Sequence, residues 1–166
     1  MAEGTIVEQL REAFALANAD QFIGQEIALS DWITIDQDQV DRFGAVTRWP
    51  TWMHVDPERC AKESPYGGTL VHGFLVVSLL SYFLEASGAR PTDGARSLNY
   101  GMDKVRVLQP IITGDGVRLR DRISLLGVTD RGDGKVLLKT AHEIEVEGMK
   151  GPAVYAEYLN YWFPRP

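Results

Sequence analysis

Cysteine is nearly absent. Cys60 is the single one among 166 residues, so no disulfide closes within the chain. That fits a reducing compartment. No apolar run reaches the roughly 18 residues that a membrane-spanning helix needs. The opening stretch MAEGTIVEQL lacks the basic-then-apolar pattern of a secretory signal, and the cytoplasm is the expected compartment. Positive charge is in deficit: 17 Lys and Arg stand against 23 Asp and Glu, a net charge of -6. No basic cluster interrupts that balance, which argues against nucleic acid as a partner. A small anionic ligand stays compatible, because local patches can oppose the overall sign. His, Asp and Glu show no metal-ligand spacing. Neither a phosphate loop nor a dinucleotide fingerprint is present. No metal and no cofactor are therefore expected. Internal repeats and low-complexity tracts are missing too.

What remains has the composition of an ordinary globular domain, 45% apolar and 24% charged. A chain of this length forms one domain with a proper core, and residues 1–166 are read as a single unit. Its centre is Tyr66–Leu84, YGGTLVHGFLVVSLLSYFL. Gly67 and Gly68 lead into a segment that is apolar all round from Leu70 to Leu84, apart from His72, Ser78 and Ser81. Thr69 is placed to cap it. A helix apolar on every side must be buried, and a concave sheet is the natural cover.

The flanking chain supplies that cover. Ile6–Ala17 has helical spacing and is expected to form a surface flap within residues 1–24. Ile27–Ile35 reads as a strand. Asp36 and Gln39 form a capping box for a helix over Gln37–Val46 that buries Val40 and Phe43. Asp56 and Pro57 start a second helix ending near Glu63. Between them, TRWPTWMHV sets two Trp and a His around Pro50. After a polar turn, Leu98–Val107, Gly116–Val128, Lys135–Glu147 and Pro152–Phe163 read as strands. The last three form an antiparallel meander through turns at Asp130–Gly134 and Gly148–Gly151. The class is α+β, a curved antiparallel sheet around one helix. His142 falls mid-strand with no partner visible and reads as structural.

Four segments carry a family resemblance: WMHVDPERCA, YGGTLVHGF, LNYGMDKVRVLQPI and the closing strand. Together they resemble the hot-dog-fold MaoC-like dehydratases, the NodN-like branch related to (R)-specific enoyl-CoA hydratases, over about residues 25–163. The resemblance implies an Asp/His pair that handles water and a proton on an enoyl thioester. It also implies a backbone N–H at the start of the central helix that polarises the thioester carbonyl. Carried over, the His is His54 and the donor is Gly73. Edge-to-edge homodimers with sites at the interface are implied as well. The chain departs from the pattern at three places. Trp49 stands five residues before His54, where the Asp is expected; Thr51 replaces an Asn or Gln; Asp103 replaces an Asn.

Three functions follow. One is an enoyl-CoA hydratase or dehydratase relative with impaired hydration, using His54 and Gly73, the indole of Trp49 filling the water site. Another is a site rebuilt for proton abstraction from a planar aromatic substrate, as in Kemp elimination. There Asp103 is the base, Trp49 a stacking wall, and His54 or Thr51 a donor to the developing anion. The third is a silent acyl-CoA-binding module. Trp52, His72 and Tyr100 complete the expected substrate-binding set. In every case the partner is a small molecule.

Overall fold

The computed structural model describes residues 13–132 and 134–165. Most of the flap expected over Ile6–Ala17 lies outside them. A 3-10 segment, Leu16–Phe22, follows and buries Ala19 and Phe22. The strand expected over Ile27–Ile35 is two strands, β1 (Glu26–Leu29) and β2 (Ile33–Ile35). Ser30 separates them. Its hydroxyl takes the N–H of Asp121, so a side chain replaces one rung of the ladder. Helix α1 (Gln37–Val46) starts on the expected box, with Asp36 and Gln39 bonded reciprocally, and buries Val40. One turn, α2 (Trp52–Val55), precedes α3 (Pro57–Glu63), which Asp56 caps through the N–H of Arg59.

The central rod is α4 (Gly73–Ser78) followed by α5 (Leu80–Ala86). It starts later than the apolar run suggested. Leu70 pairs with Ile112 in an isolated bridge, and the Val71 N–H bonds the Ile111 carbonyl at 2.8 Å. Those backbone groups are committed to extended pairing, so His72, not Thr69, is the N-cap. At Leu79 the two helices meet. The Ser78 hydroxyl donates to the Leu75 carbonyl at 2.7 Å, and the Leu79 N–H turns to Val76 instead. The rod is not buried all round. Leu75, Val76, Leu80, Phe83 and Leu84 are inside, while Phe74 is 78% and Tyr82 50% exposed.

Four long strands complete the chain: β3 (Gly94–Val107), β4 (Val117–Asp130), β5 (Val136–Val146) and β6 (Pro152–Pro164). The antiparallel sheet runs β1-β4-β5-β6-β3, with β2 also on β4, so β3 is an edge. Its helix-facing side carries Leu119, Ile123, Ile144, Val154, Tyr158 and Trp162, all part of the core. The Tyr158 and Ser81 hydroxyls lie 2.7 Å apart and tie α5 to this face. His142 does have partners. Nδ1 is 2.5 Å from Asp121 Oδ2 and Nε2 is 2.9 Å from Thr140 Oγ1, with His142 and Asp121 fully buried. Burial pushes the Asp121 carboxyl up, and His142 pulls it back.

On the opposite face Glu157 is 3% exposed and lies under Lys104 and Lys139. Their ammonium groups, Lys104 first, hold its carboxyl down at about 2. A carboxyl lowered from its ordinary 4.5 adds stability that is full above that value and lost as pH falls towards about 2. The melting-temperature gap between wild type and Glu157→Gln is therefore expected to close across that window. A gap that stays constant through it would show that the two lysines do not stabilise the charge.

Candidate active site

The site begins where α1 ends. The Arg48 N–H bonds the Ala45 carbonyl at 3.2 Å and the Trp49 N–H bonds the Gly44 carbonyl at 2.9 Å. This is a Schellman closure, with Arg48 at φ 59 in the place glycine usually takes. It turns the chain outward, and Trp49 is 66% exposed. The indole is not among the side chains that line the cleft beside His54. The chain then turns back through α2, whose His54 N–H bonds the Thr51 carbonyl at 2.9 Å.

His54 is braced from several directions. Its Nδ1 is 2.7 Å from the Leu70 carbonyl oxygen. A carbonyl only accepts, so Nδ1 carries the proton and Nε2 keeps its lone pair. Gln37 Nε2 donates to the His54 carbonyl at 2.7 Å, and the Thr69 hydroxyl donates to Gln37 Oε1 at 2.5 Å. The Leu70 N–H returns to the Met53 carbonyl at 2.9 Å. Thr69, expected as a helix cap, thus serves to hold Gln37.

His54 opens on an apolar cleft of about 630 Å³ between α4 and the end of β3. Tyr66, Phe74, Val77, Val105 and Ile111 line it, with Gly73 at the helix start. A Cβ on Gly73 would sit 2.6 Å from Val107 Cγ2. Only a glycine lets the first turn of α4 lie this close to β3. The N–H groups of a first turn have no acceptor within their helix, and here they stand at the cleft wall.

His72 lies behind His54. The two rings stack at 3.7 Å with 21° between their planes. His72 is 6% exposed, and among the described residues neither ring nitrogen makes a well-formed hydrogen bond, the Trp49 backbone offering only a weak one. Burial first, then His54, pushes its pKa down, with Trp49 backbone and Asp41 carboxylate pulling the other way.

The other expected residues are not brought to the cleft. Asp103 pairs in register with Glu157 and lies 3.1 Å from the Lys139 ammonium, its side chain 53% exposed. That is the face away from the rod. Lys104 reaches Glu157 Oε1 at 2.7 Å. Tyr100 packs edge-on against Tyr161 at 4.8 Å, also on the outer face. Trp52 receives the Arg59 guanidinium 4.3 Å over its ring. Thr51 opens α2 without a side-chain cap bond. Among the described residues no three His, Cys, Asp or Glu side chains cluster as metal ligands would. Among them, too, no helix is long and apolar enough to cross a membrane. Nothing local in the sequence marks Gln37 as a brace, or Tyr66, Phe74, Val77 and Val105 as cleft residues beyond their apolar character.

Comparison with known proteins places this geometry. Residues 18–146 match the model of the MaoC like domain. Nodulation protein N of Rhizobium leguminosarum bv. viciae is 39% identical over 146 residues, 88% of this chain and 89% of that protein. The 3-hydroxyacyl-thioester dehydratase Z of Mycobacterium tuberculosis is 37% identical over 150 residues, 90% of this chain and 97% of that protein. The crystal structure of a MaoC-like dehydratase from Rhodospirillum rubrum superposes with TM-score 0.70 at 17% identity, covering 87% of this chain and 94% of that one. The sheet around its rod is the hot-dog fold.

Proposed function

This chain belongs to the MaoC-like dehydratase family, and on that premise we propose that it takes a 3-hydroxyacyl or enoyl thioester into the apolar cleft, where His54 moves the proton. One observation carries the reading. An imidazole with its proton on Nδ1 keeps Nε2 as a free acceptor at the wall of a mostly apolar cleft, beside the first amide of α4. In hydration, Nε2 takes a proton from water as the oxygen bonds the β-carbon. The enolate oxygen is held by the Gly73 N–H. The same proton then goes to the α-carbon, and dehydration runs the steps in reverse. Among the described residues no carboxylate lines this cleft, so one group handles both transfers. General acid–base groups contribute about 10²- to 10⁴-fold each, and hydration here is slower by an amount of that order.

The expected result is slow crotonyl-CoA hydration by wild type. It falls by about 10²-fold or more in His54→Ala, while butyryl-CoA binding stays within a few-fold. Tight binding with no turnover in wild type would make this a silent acyl-CoA-binding module. Absence of binding would overturn the reading altogether. Proton abstraction from a planar aromatic substrate gains no support, because neither Asp103 nor Trp49 lines the cleft.

The protein works as a homodimer in this reading. β3 is an unpaired edge of 14 residues carrying exposed Leu98, Tyr100 and Met102, with Phe74 and Tyr82 exposed on the rod. Such an edge invites a second copy. Light scattering on the purified chain checks this, and a monomer at micromolar concentration would refute it.

A further inference from the structure

We propose that His72 is a positioning residue: its flat, buried ring is the platform that holds the His54 imidazole in the plane presenting Nε2 to the cleft. This deepens the reading of His54 as the proton-transfer group and rests on it. His72 is 6% exposed, and among the described residues its nitrogens have no partner better than a weak contact with the Trp49 backbone. A buried polar group left unpaired costs about 1–3 kcal/mol. For packing alone an aliphatic side chain would serve better. What the ring supplies instead is planarity, stacked on His54 at 3.7 Å and 21°.

The surroundings fit a slot made for that ring. Phe43 also stands against the ring at 5.2 Å, tilted by 55°. Gly44 leaves the space, since a Cβ there would meet His72 Cε1 at 3.5 Å and the Pro50 Cα at 3.3 Å. Beyond its attachment at Cβ, the His54 ring is held along one edge, by the bond between Nδ1 and the Leu70 carbonyl. Small tilts about that edge remain, and a stacked plane limits them. Nε2 is then fixed in direction as well as in protonation. The titratable groups around the pair are Asp41, held by Gln37 on α1, and Tyr66 at the cleft. Loss of ring order rather than loss of charge is therefore the quantity to read.

The test compares His72→Leu and His72→Gln, which remove the flat ring, with His72→Phe, which restores it. Imidazole ¹⁵N shifts report the His54 tautomer without any need for turnover. Wild type and His72→Phe are expected to show one tautomer, protonated at Nδ1. The Leu and Gln variants are expected to show a mixture. In them kcat for crotonyl-CoA falls on the order of tenfold with KM little changed, since misplacement of a reacting group by a fraction of an ångström is costly. His72→Phe keeps kcat within about threefold by the same reasoning. Two ring-removing variants keep the test alive if one misfolds. A single Nδ1 tautomer and unchanged kcat in either folded ring-less variant would overturn the proposal. So would a Phe variant as disordered as Leu. If wild type neither binds nor hydrates thioesters, the functional reading fails, while the tautomer comparison still decides the platform.

Discussion

Replacing Trp49 by Asp and Thr51 by Gln together is expected to raise crotonyl-CoA hydration by on the order of 10²-fold. The reasoning is chemical first. With His54 alone, one imidazole must both take a proton from water and return one to carbon. A carboxylate on the same loop divides that labour. The lower end of the usual range is the right expectation, because nothing else in the loop has been shaped around an acid. The structure says the exchange is cheap. Trp49 is 66% exposed, so its indole holds little together. The Thr51 side chain makes no cap bond at the start of α2. An acid at 49 also lies just ahead of that turn, where negative charge is mildly favoured. The melting temperature should stay near wild type, since exposed substitutions usually act within about 0.5 kcal/mol. A folded double variant with no gain in kcat would show that position 49 is not where the acid belongs.

Asp121→Ala carries the largest expected loss of stability. Removing one member of a buried pair costs roughly 3–5 kcal/mol, which for a domain of this size lowers the melting temperature by about 10 °C. Asp121 and His142 are both fully buried at 2.5 Å, and Thr140 is the ring's other hydrogen-bond partner among the described residues. Truncation leaves the Nδ1 side of His142 facing nothing. The companion variant, with both residues changed to Leu, should recover most of the loss, because a pair replaced by apolar groups of similar volume is often neutral. Thermal melts of the three proteins decide it. A drop of under about 3 °C in Asp121→Ala, which is near 1 kcal/mol, would mean that the contact contributes little.

Local chemistry was legible in the chain; long-range facing was not. The Asp36 and Gln39 box, the Asp56 and Pro57 start and the glycine turns between strands all came out as their residues suggested. Each depends on neighbours within four positions. His142 looked unpartnered because Asp121 lies 21 positions away and meets it only once β4 and β5 pair. Gln37 looked like one more residue of α1, though it reaches 17 positions on to the His54 carbonyl. Leu70 and Val71 looked helical by composition, and tertiary pairing with Ile111 and Ile112 overrode that. Of the expected site, His54, His72 and Gly73 came together. Asp103 did not, and the reason lies in how β3 is counted.

Between Asp103 and Arg106 the strand holds two residues opposite the single Ala156 of β6. Lys104, at φ 46, is the surplus one. That surplus shifts the strand by half a period. By register Met102 shares the side of Tyr158 before it while Val105 and Val107 line the cleft after it, and the odd-even rule read from either end gives the wrong answer at the other. Anyone wishing to plant a base in this cleft from β3 should therefore choose position 105. Deleting Lys104 would leave Val105 alone opposite Ala156, a regular ladder in which Arg106 still faces outward and Val105 and Val107 still face the cleft.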